Sequence, residues 1–432
     1  MNTLNQWLEY IAEVHPSEIE MGLGRVRSVF EKMSSAKNAK TQKSSKVVVV
    51  SGTNGKGSTV ALLEAGLLSM GLTVGSYTSP HIQKYNERVK INAQPVSDEV
   101  LINAFEQVER LRSSVPLTYF EFGTLAAFDV LLGSELDVII FEIGLGGRLD
   151  AVNVIDADLA IITSVAMDHT DWLGSSLDGI GLEKAGILRP NGLSILGENL
   201  PVSVAQQAQK LNCKTMTVAQ DIVRTSEGVM LSAHSGLSNF QGFPNVCLPQ
   251  NNILIALQAL KVLTESLTEV NKGCFSYESL IECFNNLKIE GRFEEVSHHL
   301  LDKNHRVFLD VGHNPHAASY LLSVLNQLKT SDMVINAVYS SLEDKDVSSL
   351  VKVLAPAIDM WLLAPLNDVR ALPLVSLERL VGKFARNMLS FQTMPEALAF
   401  SLEKAQSKPK SLTLVFGSFY VIDAAKAYFE GL

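Results

Sequence analysis

The chain has 432 residues, 47% hydrophobic and 19% charged, which is enough for two or three domains with buried cores and excludes a disordered or fibrous polypeptide. Thirty-six Lys and Arg against 46 Asp and Glu leave a net charge of -10, so no general basic field draws nucleic acid or anionic lipid, and an anionic ligand must be held locally. Four cysteines without C-x-x-C spacing (Cys213, Cys247, Cys274, Cys283), an N-terminus lacking a basic region before an apolar run, and no uninterrupted apolar window of about 18 residues together read as a cytoplasmic protein with reduced thiols, neither exported nor membrane-inserted.

In chain order, SSAKNAKTQKSSK (34–46) sets Lys37, Lys40, Lys43 and Lys46 among polar residues and reads as a mobile loop. The first strand is Val47 to Val50. It runs into SGTNGKGST (51–59), ahead of a helical stretch holding Leu62, Leu63, Leu67 and Leu68. Three glycines let backbone N–H groups wrap a phosphate, the helix N-terminus adds its dipole, and Lys56 adds charge, so this is a nucleotide phosphate loop. It differs from the usual G-x-x-x-x-G-K-[ST] because Gly57 separates Lys56 from Ser58.

YTSPHIQKYNERV (77–89) holds Ser79 extended before Pro80, with a hydroxyl suited to Mg²⁺, and offers His81 and Arg88 to an anionic substrate; an ordinary loop is the other reading. Asp137 to Phe141 reads as a strand running into Glu142 and the glycines of FEIGLGGRLDA (141–151). A carboxylate there suits Mg²⁺, with a plain turn as the alternative. Leu159 to Val165 reads as a further strand, leading to His169 between Asp168 and Asp171, either a ligand with orienting carboxylates or a structural histidine. Lys184 in GLEKAGIL (181–188) is either a surface lysine or, if partly buried, an amine able to take up CO₂ as a carbamate.

A second alternating series begins near Arg306, with strands at Arg306 to Val311, Val334 to Tyr339, Met360 to Leu363 and Leu412 to Phe416, and helices at His316 to Leu328 and Leu377 to Phe384. Lys288 to Glu295, with Gly291, stands between the two series as a candidate hinge. Arg292, and Asp310 at a strand end, could meet a phosphate and a ribose. The fold class is therefore α/β: an N-terminal P-loop nucleotide-binding domain with a parallel sheet (1–289), a hinge (290–295) and a smaller C-terminal Rossmann-like α/β domain (296–432).

Taken together, GTNGKGS, TSPH with NERV, TYFEFGTLAA (118–127), EIGLGGRLDA, DHTDWLG with EKAGI, GRF, DVGHNPHAA, DKD (344–346) and GSF resemble bacterial bifunctional dihydrofolate synthase/folylpolyglutamate synthases, within the Mur-type ATP-dependent amide ligases, from about Trp7 to Ala425. The resemblance implies that Thr53, Asn54, Gly55, Lys56, Gly57 and Ser58 hold ATP phosphates and that Asn252, Arg292 and Asp310 complete the ATP site. Ser79 and Glu142 would bind one Mg²⁺. His169 would bind a second with Lys184 as N6-carboxylysine, and Lys56, His169 and Lys184 would be the catalytic set. Dihydropteroate or a reduced folate would contact Ile19, Glu20, Met21, Thr118, Tyr119, Phe120, Glu121, Leu149, Asp150 and Ala151. Activation of the acid as an acyl phosphate, then attack by the amine of L-glutamate, is the implied reaction, in a monomer without nucleic-acid or membrane partners. A peptidoglycan Mur ligase and a monofunctional folylpolyglutamate synthase are the near alternatives. A regulatory NTPase is the distant one, and the N-K-x-D motif of a GTPase is absent.

Overall fold

The computed structural model describes residues 1–15, 17, 20–36, 45–233, 236–267, 276–297, 304–405 and 410–431. Met1–Val246 with Gln250–Leu287 make one compact unit; Cys247–Pro249 with Lys288–Leu432 make the other.

The first unit begins with helices α1 (Leu4–Glu13) and α2 (Gly24–Ala36) and continues with β1 (Lys46–Ser51), α3 (Lys56–Ser69), β2 (Val74–Tyr77), β3 (Val89–Ile91), β4 (Gln94–Pro95), α4 (Asp98–Arg112), α5 (Tyr119–Leu132), β5 (Val138–Glu142), β6 (Leu159–Ile162), α6 (Thr170–Leu173), α7 (Leu177–Ala185), β7 (Leu193–Leu196), α8 (Val202–Lys210) and β8 (Lys214–Thr217). The eight strands form one sheet in the order β4-β3-β2-β5-β1-β6-β7-β8. From β2 to β8 it is parallel, while β3 and β4 extend it antiparallel. Val47 to Val50 are all buried or nearly so, as expected of a β-branched run covered on both faces. Beyond β8 come a three-stranded antiparallel sheet, β9 (Val223–Arg224), β10 (Gly228–Ala233) and β11 (Gly236–Gln241), and helices α9 (Gln250–Ser266) and α10 (Tyr277–Asn285). That small sheet is not among the elements the sequence pattern predicts.

Helix ends follow local chemistry. Ser97 caps α4, whose first turn carries Asp98 and Glu99 and whose last carries Arg110 and Arg112, each sign placed to complement the helix dipole. Thr118 and Glu121 form a reciprocal capping box at the start of α5. Trp7, Phe105 and Phe122 pack ring against ring with centroids 5.8–6.5 Å apart, anchoring α1 on α4 and α5.

The second unit holds β12 (Glu294–Glu295), β13 (His305–Asp310), α11 (Pro315–Leu328), β14 (Met333–Tyr339), α12 (Val347–Leu354), β15 (Met360–Leu363), α13 (Leu374–Val381), β16 (Met388–Ser390), α14 (Met394–Ala405), β17 (Lys410–Phe416) and α15 (Phe419–Glu430). Its sheet order is β12-β13-β17-β14-β15-β16, parallel except for β12. Trp361, Tyr339 and Phe416 fill one face.

Several expected boundaries shift. Ser34, Ser35 and Ala36 continue α2 and Lys46 opens β1, while 37–44 of the expected loop lie outside the described residues. The strand expected to reach Val165 ends at Ile162, because Thr163 and Ser164 turn their hydroxyls to Asn54 O, at 2.7 and 2.9 Å. The helix expected from Leu377 begins at Leu374, directly after Pro373. Among the described residues no helix is long and apolar enough to cross a membrane. Cys213, Cys247 and Cys283 carry free thiols, and Cys274 lies outside the described residues.

Candidate active site

The chain crosses from β1 to β2 on one side and reaches β6 on the other, so the strand order reverses at β1, where open α/β sheets hold ligands beyond the carboxyl ends of their strands. β5, β1 and β6 are neighbours there, with Val50 opposite Glu142 and Ser51 opposite Ile162.

The phosphate loop Gly52–Gly55 leaves β1 and caps α3. Gly55 has φ +88°, a conformation that favours glycine, and Lys56 is the first residue of α3. Thr53 N donates to Ser164 O at 2.8 Å and Asn54 N to Ser164 Oγ at 3.0 Å, so residues 163–166 brace the loop from β6. Lys56 Nζ donates to Gly52 O at 3.0 Å, and Ser58 is buried. Asn252, near the start of α9, is 3% exposed and lies against Gly55; its Nδ2 is buried without a hydrogen-bond partner. An orphaned amide beside a glycine cradle fits a polar ligand in the loop.

Glu142 ends β5 buried, and its Oε2 accepts from Ser79 N at 3.1 Å. The structure thus brings together the two residues expected at one Mg²⁺. Among the described residues no group of three or more His, Cys, Asp or Glu side chains gathers at one point. A hydroxyl and a carboxylate suit Mg²⁺, which keeps waters and phosphate oxygens as its remaining ligands.

His169 caps α6 with φ +50°, its side chain 40% exposed and its Nε2 4.0 Å from Asp168 Oδ1. Lys184, in the last turn of α7, is almost wholly buried. Burial and then the charge of Lys56 pull its pKa down to about 7, against the opposing pull of Asp168 and Asp150. It is therefore not the surface lysine of the plainer reading.

Of the expected acid-substrate residues, Phe120, Met21 and Asp150 lie at the GLGG turn. A β-carbon on Gly144 would come 2.5 Å from the Phe120 ring, and one on Gly146 would meet Leu173 at 2.9 Å and Met21 at 3.8 Å. Phe120, Met21 and Leu173 thus face a backbone stripped of side chains. Asp150, buried, accepts from Leu145 N at 2.8 Å and Val152 N at 2.9 Å; burial raises its pKa to about 6. Its carboxylate shapes the turn. Leu149 is half-buried, Ala151 and Thr118 are buried, and Tyr119 packs edge-on to Tyr85. Glu20 is exposed, and Ile19 lies outside the described residues.

Arg88 and His81 do not form an open anion-binding pair. Arg88 is buried over the rings of Tyr85 and Tyr119, its Nε donates to His81 Nδ1 at 2.9 Å, and burial with this cation lowers the His81 pKa to about 4. Glu87, which sequence reasoning misses, holds the turn by accepting from Ile82 N at 2.8 Å, Gln83 N at 3.0 Å and Lys84 N at 2.6 Å.

In the second unit Asp310 ends β13 buried, accepting from Phe293 N at 2.9 Å and Gly312 N at 2.7 Å; burial raises its pKa, and the Arg292 charge opposes that. Arg292 lies over the Phe419 ring at 5.5 Å.

Residues 50–255 match the Mur ligase middle domain, and 291–419 the Mur ligase glutamate ligase domain. The chain is 36% identical to the Escherichia coli (strain K12) dihydrofolate synthase/folylpolyglutamate synthase over 423 residues, covering 97% of this chain and 94% of that one. Among solved structures it resembles E. coli FolC in complex with DHPP and ADP, with a TM-score of 0.86 at 34% identity over 100% of this chain and 98% of the other. A bifunctional folylpolyglutamate synthase/dihydrofolate synthase from Yersinia pestis complexed with AMPPNP and Mn ion gives a TM-score of 0.84 at the same identity and coverage. With the likeness running nearly the full length of both chains, the chain belongs to the dihydrofolate synthase/folylpolyglutamate synthase family of Mur-type ligases.

Proposed function

We propose that the chain is an ATP-dependent ligase that adds L-glutamate to dihydropteroate, giving dihydrofolate, and to reduced folates, giving folylpolyglutamate. The observation that carries this reading is the register of β1 and β5. Glu142 pairs with Val50, so its carboxylate stands beside the strand end from which the phosphate loop departs, joined to Ser79. That arrangement suits phosphoryl transfer to a carboxylate, where two anions must meet.

Thr53 to Ser58 hold the triphosphate with backbone N–H groups and the α3 dipole, and Lys56 exchanges its bond to Gly52 O for phosphate oxygens. Ser79 and Glu142 hold one Mg²⁺, and His169 holds a second with Lys184 as its carbamate, which a buried amine able to shed its proton near neutral pH supports. Bound Mg²⁺ supplies positive charge against the phosphate oxygens. Asn252 is the remaining nucleotide residue of the first unit in this reading. Met21, Phe120 and the GLGG turn hold the acid so that its carboxylate takes the γ-phosphoryl group as the β,γ P–O bond breaks and ADP leaves; the glutamate amine then attacks the acyl carbon, losing a proton, and phosphate leaves. Such positioning can supply about 7–11 kcal/mol of a barrier. The free thiols and the reduced substrates fit a cytoplasmic setting.

Purified protein incubated with ATP, Mg²⁺, L-glutamate and either dihydropteroate or tetrahydrofolate should release ADP and gain a glutamate adduct by mass spectrometry. ADP release that needs neither acid nor glutamate would identify a nucleotide switch instead. Turnover only with a UDP-linked sugar acid would identify a peptidoglycan ligase, and adduct with tetrahydrofolate alone a monofunctional synthase.

A further inference from the structure

Arg25 sits in the first turn of α2, in a sequence window with no motif of its own, yet it joins two stretches of chain about 100 residues apart. Its Nε donates to Glu121 Oε1 and Oε2 at 3.2 and 3.1 Å, and its Nη2 to Glu121 Oε1 at 2.9 Å. On the other side Nη2 donates to Glu20 O at 2.8 Å and Nη1 pairs with the Glu20 carboxylate. Glu121 has no oxygen to spare: Oε2 also accepts from Thr118 N at 2.8 Å, closing the α5 capping box. His15 Nε2 stands 3.1 Å from Glu20 Oε2, steadying that carboxylate from α1's side.

We infer that Arg25 is a positioning residue for the acid substrate, latching the Glu20–Met21 segment onto the N-terminus of α5 and so completing the wall opposite the GLGG turn. This rests on the ligase reading above. A planar fork with several donors addresses a buried carboxylate, an exposed one and a carbonyl together; a lysine ammonium, a compact point charge, reaches fewer of them at once. The Glu121 side chain is 5% exposed and that of Arg25 19%, whereas Glu20 is 50% exposed, so the latch is firm at the α5 end and open to water at the segment it captures. Releasing it frees Met21 from its place near Gly146. The phosphate loop, held by residues 163–166, does not depend on it.

The test is steady-state kinetics on Arg25→Ala and Arg25→Lys with dihydropteroate and ATP varied separately, alongside thermal melting. We expect the KM for dihydropteroate to rise about tenfold or more in Arg25→Ala, with the KM for ATP and kcat within about twofold, and Arg25→Lys to recover part of the loss. An unchanged KM for dihydropteroate would overturn the inference, as would a parallel fall in kcat and in affinity for both substrates with a lowered melting temperature. If Arg25→Ala does not fold, Arg25→Lys alone decides: a raised KM for dihydropteroate with that for ATP unmoved supports the latch, and an unchanged one overturns it. Wild-type protein that makes no dihydrofolate overturns the ligase reading itself, whereas an active wild type with an indifferent Arg25 overturns only the latch.

Discussion

The side chain of Asn252 lies so close to Gly55 that a β-carbon on Gly55 would stand 2.5 Å from its Oδ1 and 2.6 Å from its Nδ2. Two elements about 200 residues apart therefore close on one another at the phosphate loop. Gly55→Ala should impair nucleotide binding, both by displacing Asn252 and by placing an L-residue at φ +88°, which costs about 1–2 kcal/mol. Titration calorimetry with ADP should show at least about tenfold weaker binding; unchanged affinity would argue against Asn252 as a nucleotide residue.

Lys56→Ala and Glu142→Ala should each lower kcat by two or more orders of magnitude, the scale on which a lost electrostatic partner acts in a preorganised site. Both should stay folded, since Lys56 makes a loop contact and Glu142 sits at a strand end, bonded to the Ser79 amide. Circular dichroism melts paired with glutamate incorporation separate the two effects, and near-normal synthesis by either folded variant would remove it from the machinery.

Lys184→Met should abolish synthesis while stabilising the CO₂-free protein. The folded-state pKa of about 7 lies below the ordinary 10.5, so the unfolded chain binds more protons between those values. The burial penalty is full below pH 7, shrinks as pH rises towards 10.5 and is absent above it, and amounts to a few kcal/mol. Urea melts at pH 7 should favour Lys184→Met, with the advantage fading at alkaline pH. In active, metal-loaded wild type, an unmodified Lys184 seen by crystallography would contradict the carbamate.

Gly144→Ala should push on the Phe120 ring, which stands 2.5 Å from the new β-carbon. The KM for dihydropteroate should rise severalfold while ADP affinity holds, because the phosphate loop lies on β1 and α3. A change in ADP affinity with no change for dihydropteroate would reverse the assignment of that wall.

Much of the site is legible in the sequence because its chemistry is local. The phosphate loop needs three glycines and a lysine within a few residues, and Glu142 announces itself by ending a β-branched run before GLGG. Caps such as Asn314 before Pro315 likewise read directly from the order of residues. Glu290, just ahead of GRF, and Tyr420, just after GSF, give no such local signal. Glu290 pairs with Lys426 at 3.1 Å, and Tyr420 lies under the Arg370 guanidinium at 5.4 Å.

Arg88 shows where that legibility stops. Its sequence setting suggests a cation offered to an anion, and burial among Tyr77, Tyr85 and Tyr119 decides otherwise. Lys184 shows the converse, since no spacing rule predicts that an α7 lysine is buried beside Lys56. Arg25 carries no motif at all.

The order of amino acids by itself determined the alternation of strands and helices and the glycine-rich loop between β1 and α3, because hydrophobic period, glycine placement and capping act over a few bonds. Only the tertiary structure decided which of the charged groups are buried, what Asn252, Arg25 and Glu121 touch, and how far the Lys184 proton is loosened. Desolvation and long-range contact depend on neighbours that the chain brings together from distant positions.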